Sequence, residues 1–220
     1  KSRDEFSDNA ETNFSPLKYE IAKKIKSKNI LLEEDLINKE IKLLKKINID
    51  GAITTNWDEL LEQIFPQFNK FIGQEELIFS ELYSIGEIYK IHGCSSKPNS
   101  LILTEEDYSD YKERNAYLAA KLLTIFIENP IIFIGYSLDD KNIQEILKSI
   151  IKCLTKEKIE KLKDRLIFCQ WDSNPIEPSI TDSTILISDT VIPIKLITTN
   201  DFVDIYTILA NNKRSKRTWG

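Results

Sequence analysis

A run of four strand-forming residues, Ile131–Ile134, constrains the fold of this chain more than any other feature of its sequence. Pro130 and Gly135 flank the run, and both residue types interrupt regular structure. A short, wholly apolar run of β-branched and aromatic residues indicates a strand buried on both faces, as in a parallel sheet. Because parallel strands need crossover connections, helices are expected between such strands.

Helical patterns do alternate with further short apolar runs. The strand-like segments span residues 52–54, 88–92, 101–103, 131–135, 165–170, 184–187 and 192–197. This alternation predicts an α/β fold with a mainly parallel, doubly wound sheet and helices on both faces. Residues 1–47 are predicted to form a helical N-terminal part, a small lobe in which Pro16 opens a helix.

Charge and hydropathy exclude several classes of protein. A net charge of −5 and a pI near 5.2 give no general reason to expect binding to nucleic acid or anionic membranes. The chain has no apolar run of about 18 residues, so no transmembrane segment is predicted. The basic segment 213–220 is interpreted as a solvated tail or linker.

The three cysteines, Cys94, Cys153 and Cys169, are odd in number and far apart. They support neither a disulfide framework nor a zinc site with four thiolates. No metal is expected. A reducing, cytoplasmic compartment fits this use of cysteine best.

Polar residues follow two of the predicted strands. Asn56 and Asp58 follow the first, and His92, the only histidine, ends the next. Ligands of open α/β sheets bind outside the carboxyl ends of strands, and histidine serves as a general base near neutral pH. The alternatives are that Asn56 and Asp58 only cap a helix, and that His92 is a hydrogen-bonded structural residue. Gly93 is expected to let a ligand approach the backbone.

The strand Ile131–Ile134 delivers Gly135 and Ser137 just before a helix capped by Asp139 or Asp140. Backbone amides at a helix start attract anions, so this turn is a candidate phosphate or ribose site. Because Asp139 replaces the second glycine of a G-x-S-x-G elbow, a serine hydrolase is not expected.

Together these segments resemble the SIR2-like family, in its bacterial defence-associated branch. The matches are T-x-N-x-D at residues 54–58, K-x-H-G at 90–93, L-T-x-x-D-Y-x-x-Y at 103–111 and F-x-G-x-S-x-x-D-x-N at 133–142. Four motifs in the same order are far more specific than any one of them.

The resemblance implies a Rossmann-like fold that binds NAD⁺ and cleaves it to nicotinamide and ADP-ribose. It implies that Asn56 and His92 are catalytic, Asn56 orienting a water molecule and His92 accepting a proton. The implied NAD⁺-binding residues are Thr55, Asp58, Gly135, Ser137 and Asn142. The family also implies a homo-oligomer with a sensor domain or partner ATPase, acting as an anti-phage effector through NAD⁺ depletion (abortive infection).

The chain departs from the family pattern in two places. Residues 1–50 contain no Gly-Ala-Gly-x-Ser loop, which family members use to hold the diphosphate, so we expect the start to be truncated or incompletely recorded. Residues 1–212 are otherwise expected to form one SIR2-like domain. The zinc module of protein-deacylating sirtuins is missing too, which disfavours the deacylase alternative. A catalytically silent domain for nucleotide binding or assembly is the other alternative.

Overall fold

The computed structural model describes residues 10–27, 35–78, 86–114, 116–174 and 177–211. They form two compact units, the first made of residues 10–114 and 203–211 and the second of residues 116–202. The predicted α/β class with parallel strands is confirmed. The described strands pair in two sheets, one in each unit.

The first unit surrounds a parallel sheet of three strands. Its elements in chain order are α1 (Ser15–Ser27), α2 (Asp35–Leu44), β1 (Gly51–Thr54), α3 (Leu60–Ile64), β2 (Asn69–Ile72), α4 (Glu75–Ile78), β3 (Glu87–Lys90) and α5 (Glu105–Arg114).

Strand β3 lies between β1 and β2, and both neighbours run parallel to it. All four of its residues are buried, as expected for a central parallel strand covered on both faces. On one side Ile88 packs with Ile64 and Phe65. Ile41 and Leu44 of α2 pack against this cluster, so α2 contributes to the core of this unit.

The second unit contains a mixed sheet of four strands. Its elements are α6 (Ala116–Glu128), β4 (Ile131–Ile134), α7 (Lys141–Lys152), α8 (Lys156–Ile159), β5 (Leu166–Trp171), β6 (Ser179–Ile187) and β7 (Thr190–Thr199). Helix α9 (Phe202–Asn211) follows, and all but its first residue belongs to the first unit.

The strand order in the second sheet is β4-β5-β7-β6, and only β6 and β7 pair antiparallel. The apolar run Ile131–Ile134 forms β4, which pairs in parallel with β5 as predicted. Phe133 of β4 stacks on Phe168 of β5 at 4.1 Å between ring centroids, and Phe126 of α6 meets Phe133 edge-on. These aromatic contacts form the centre of the unit's core.

One prediction about a strand was wrong, and two predicted strands are longer than expected. Residues 101–103 form no strand, although Leu101 is fully buried, because the segment makes a single backbone bond to His92 instead of a ladder. The predicted strand-like segments 184–187 and 192–197 lie within β6 and β7, which are longer, at nine and ten residues. Cross-strand pairing from Ser179 to Ile187 extends them beyond their apolar parts.

Some predictions lie outside the described residues, namely those for residues 1–9, 28–34 and the basic tail 213–220. Within the described part of the chain, no helix is both long and apolar enough to cross a membrane.

Candidate active site

The carboxyl ends of β1 and β3 lie side by side, and the predicted catalytic residues follow them. Thr54 pairs with Lys90 in parallel register, and the Ile91 amide then donates to the Thr54 carbonyl at 3.0 Å. Asn56 and His92 each lie two residues beyond this matched pair. Their stretches of chain therefore leave the sheet next to each other.

Two local hydrogen bonds fix the loop between β1 and α3. The Asn56 amide donates to the Thr54 hydroxyl at 3.0 Å, and the Leu60 amide donates to Asp58 Oδ1 at 2.9 Å. Asp58 thus satisfies a backbone amide at a helix start, as the capping interpretation expects. Asn56 itself is exposed.

This loop lines a cleft of about 340 Å³, together with one residue of α1. The volume lies near the lower end of the range for small-molecule sites, about 300–1,000 Å³. The lining residues are Ile25, Thr55, Asn56, Trp57 and Asp58. Three predicted site residues therefore share one cleft.

His92 lies beside this loop but inside the unit. It is 4% exposed, and it is not among the residues that line the cleft. Its ring meets Tyr108 and Tyr111 of α5 edge-on, at centroid distances of 5.7 and 5.3 Å. The Ile102 amide donates to the His92 carbonyl at 3.1 Å. The imidazole is thus held between β3 and α5.

Gly93 was predicted to let a ligand approach the backbone, and this prediction was wrong, because another part of the chain occupies that space. Its φ is +90°, and an added Cβ would lie 2.1 Å from the Ser100 carbonyl oxygen. The loop that follows returns to this point, where the Cys94 amide donates to Ser100 Oγ at 3.0 Å. The space beside Gly93 is therefore filled by backbone.

We expect Gly93→Ala to lower the free energy of unfolding by about 2–3 kcal/mol, because a left-handed backbone and a clash with backbone atoms combine. Gly73→Ala is the matched control, since Gly73 also has a positive φ, +65°, but no atom within 4 Å of its added Cβ. Denaturant unfolding of both variants measures the difference. Equal losses of stability in the two variants would show that the clash with the Ser100 backbone does not contribute.

Lys90 carries a buried charge under the loop. Its side chain is 1% exposed, donates a hydrogen bond to the Asp58 carbonyl, and lies 3.7 Å from Glu62 Oε1. A buried ammonium persists only when it is paired and hydrogen-bonded. Lys90 therefore ties the end of β3 to the loop that carries Asn56 and Asp58.

Three side chains near Lys90 are close enough together to bind a metal ion. The ligand atoms of Glu59, Glu62 and Cys94 lie within 4.8 Å of one another. Lys70 Nζ, however, lies 3.0 Å from Glu59 Oε1 and 3.6 Å from Glu62 Oε1. The ammonium groups of Lys70 and Lys90 thus already pair with the two carboxylates, so we assign these residues to an ion-pair network.

The pKa of Lys70 reflects this network. Burial alone would lower it, but the hydrogen bond to Glu59 and the acidic groups of Cys94, Glu59 and Glu62 outweigh burial and raise the pKa above its usual value. The Lys70 ammonium is therefore charged across the neutral range.

The remaining predicted residues lie in the second unit, in the turn from β4 to α7. Gly135 has a φ of +79° and open space where a Cβ would lie. Asp140 caps α7, accepting hydrogen bonds from the Asn142 and Ile143 amides at 2.9 and 3.2 Å. Ser137 is exposed and accepts from the Asp140 amide through its carbonyl. Of the two predicted caps, Asp140 is the one observed.

Sequence reasoning missed Lys90 and the tyrosines of α5 as parts of the site. Lys90 had one recognisable signal, since it is a charged residue within an otherwise strand-like run, and lysine is almost never fully buried without a partner. Tyr108 and Tyr111 are part of the motif at residues 103–111, but that motif does not reveal that their rings contact His92.

Comparison with known proteins identifies a family match. The family model described as SIR2-like domain matches residues 50–183, more than half of the chain. The matched range includes residues of both units. It begins just before β1, and so leaves α1 and α2 outside.

Three relatives match over stretches of similar length. The chain is 27% identical over 121 residues to "NAD(+) hydrolase ThsA" of Cytobacillus dafuensis, which covers 53% of the chain and 24% of the relative. It is 28% identical over 113 residues to the protein of the same name from Acinetobacter baumannii, covering 50% and 23%. It is 31% identical over 137 residues to "Defense-associated sirtuin 2" of Bacillus subtilis, covering 60% and 13%. The match thus spans a quarter or less of each relative's length.

Proposed function

The chain belongs to the SIR2-like domain family, and on that basis we propose that it hydrolyses NAD⁺ to nicotinamide and ADP-ribose as an effector of bacterial anti-phage defence. The relatives named NAD(+) hydrolase and defence-associated sirtuin support this proposal at the level of the family. The observation that carries it is the parallel pairing of β1 with β3, which brings the stretches holding Asn56 and His92 together beside a cleft.

The proposed reaction needs little from the protein to expel its leaving group. Nicotinamide is bound to the ribose as a positively charged pyridinium, so it departs as a neutral molecule and leaves an oxocarbenium-like centre. Asn56, exposed in the cleft, has both a donor and an acceptor with which to orient a water molecule toward that centre. His92 accepts a proton from this water or from a ribose hydroxyl.

The other substrate contacts are proposed residue by residue. Thr55 and Asp58 line the cleft with Asn56, and we assign them to the nicotinamide and its ribose. Gly135, Ser137 and Asn142 remain predicted contacts of a phosphate or ribose group, supported by the exposed turn before the capped start of α7. We further propose that residues 1–212 form one SIR2-like domain and that the active protein is a homo-oligomer working with a sensor domain or partner ATPase.

Nicotinamide release from NAD⁺ by the purified chain tests the proposal. We expect Asn56→Ala to reduce kcat by about 100-fold, because a water that is no longer oriented rarely attacks in line. Asn69→Ala is the matched control, since Asn69 is an exposed asparagine on β2 and is not among the residues lining the cleft. Chromatography of nicotinamide and ADP-ribose measures both products.

A catalytically silent nucleotide-binding domain is the second candidate, and the burial of His92 outside the cleft lining favours it. Calorimetry with ADP-ribose separates the two candidates. Saturable binding without nicotinamide release, in the assembled oligomer as well as in the isolated chain, would favour the silent domain. Equal turnover by the Asn56→Ala and Asn69→Ala variants would reject the proposed mechanism.

A further inference from the structure

Helix α1 lies outside the matched family range, yet it contacts the site in two places. Ile25 of α1 lines the cleft with Thr55–Asp58. About two helical turns earlier in α1, Lys18 reaches α5 and forms an ion pair with Asp107. The Lys18 side chain is 4% exposed and that of Asp107 is 18% exposed, so the pair is largely shielded from water.

Asp107 is the residue that fixes the start of α5. Its Oδ2 accepts hydrogen bonds from the amides of Leu103 and Thr104 at 3.0 and 2.8 Å. The Asp107 amide in turn donates to the Thr104 hydroxyl at 3.2 Å. One carboxylate therefore holds the turn before α5 through Oδ2 and helix α1 through Oδ1.

The charge on Asp107 is secured by these contacts. Burial alone would raise its pKa, but the bonds from Lys18, from the Thr104 and Leu103 amides and from the Thr104 hydroxyl outweigh burial and lower the pKa below its usual value. The ion pair is thus fully formed at neutral pH. Its contribution to stability is lost only as the pH falls from the ordinary carboxyl range, about 4, through this lower value.

The residue next to Asp107 touches the predicted base. Tyr108 meets the His92 ring at an interplanar angle of 86°, and Tyr111, one turn later on α5, meets it at 83°. Two edge-on tyrosines restrict how an imidazole can rotate. A shift or rotation of α5 would therefore move the walls that orient His92.

We propose that Lys18 is a positioning residue for His92, acting through Asp107 and the two tyrosines of α5. The inference rests on the proposed function in so far as His92 is the base. A general base must be held within a fraction of an ångström of its productive position. Loss of the Lys18 ion pair would loosen the packing around His92 and so lower turnover, although Lys18 itself takes no part in the reaction. Helix α1 thereby becomes part of the site.

The single histidine makes this inference directly measurable. In the ¹⁵N-labelled chain, all imidazole signals in a long-range ¹H–¹⁵N spectrum belong to His92. We expect Lys18→Met to shift or broaden these signals and to lower kcat about tenfold, with KM within twofold of wild type. Lys18→Arg restores the ion pair, so it should recover both the spectrum and kcat. Lys24→Met, at an exposed lysine of the same helix, should match wild type.

A second variant tests the inference if Lys18→Met does not fold. If circular dichroism finds Lys18→Met unfolded, Asp107→Asn replaces it, because an asparagine oxygen still accepts from the Leu103 and Thr104 amides while the ion pair is lost. Wild-type imidazole signals in the folded variant would overturn the inference, as would an equal effect of Lys24→Met. A wild-type chain that releases no nicotinamide would refute the proposed function instead, and the spectra would still test the positioning of His92.

Discussion

His92→Ala should lower kcat for nicotinamide release by about 100- to 10,000-fold, the usual contribution of a positioned general base. In the proposed reaction no other histidine can take the proton, because the chain contains only one. Steady-state kinetics at saturating NAD⁺ measures the loss.

Alanine also removes a ring from between two tyrosines, so the loss of packing needs its own control. His92→Phe keeps an aromatic ring against Tyr108 and Tyr111 but cannot accept a proton. Thermal unfolding should place this variant nearer to wild type than His92→Ala. If His92→Phe retains more than about a tenth of kcat, the assignment of His92 as the base is wrong.

Lys90→Met should lower the free energy of unfolding by about 3 kcal/mol, the lower part of the range for breaking a buried ion pair. Methionine fills a similar volume but leaves Glu62 and the Asp58 carbonyl without the ammonium. Lys70 remains 3.6 Å from Glu62 and limits the loss. For a chain of this size the midpoint of thermal unfolding should fall by roughly 10 °C.

Lys97→Met is the matched control for this change. The Lys97 side chain is 60% exposed and pairs with Glu76 at the surface. Exposed ion pairs contribute about 0–1 kcal/mol, so the control should lie close to wild type. Similar melting temperatures for the two lysine variants would show that the Lys90 charge does not hold the loop.

The parts of the fold that follow from local pattern could be predicted from the sequence. The run 131–134 is wholly apolar and bounded by Pro130 and Gly135, and it forms β4 between two helices. The closeness of the stretches holding Asn56 and His92 could also be predicted, because parallel neighbouring strands end at the same edge of a sheet.

Features that depend on contacts between distant residues could not be predicted in the same way. The pattern of 101–103 suits a strand, but none of the described strands pairs with it. Ile180 and Leu186 of β6 are 70% and 67% exposed, so burial of these two side chains could not be predicted from their hydrophobicity. Position 93 requires glycine because the backbone of Ser100, seven residues later, packs against it. This contact cannot be read from the residues around position 93.

The return of the chain at Ser100 has a practical consequence for labelling. The Cys94 amide donates to Ser100 Oγ and the Ile102 amide donates to the His92 carbonyl, so these two hydrogen bonds close the loop between His92 and Ile102 at its base. Its tip, Lys97, is exposed. A fluorophore attached at position 97 would therefore leave both of these hydrogen bonds in place.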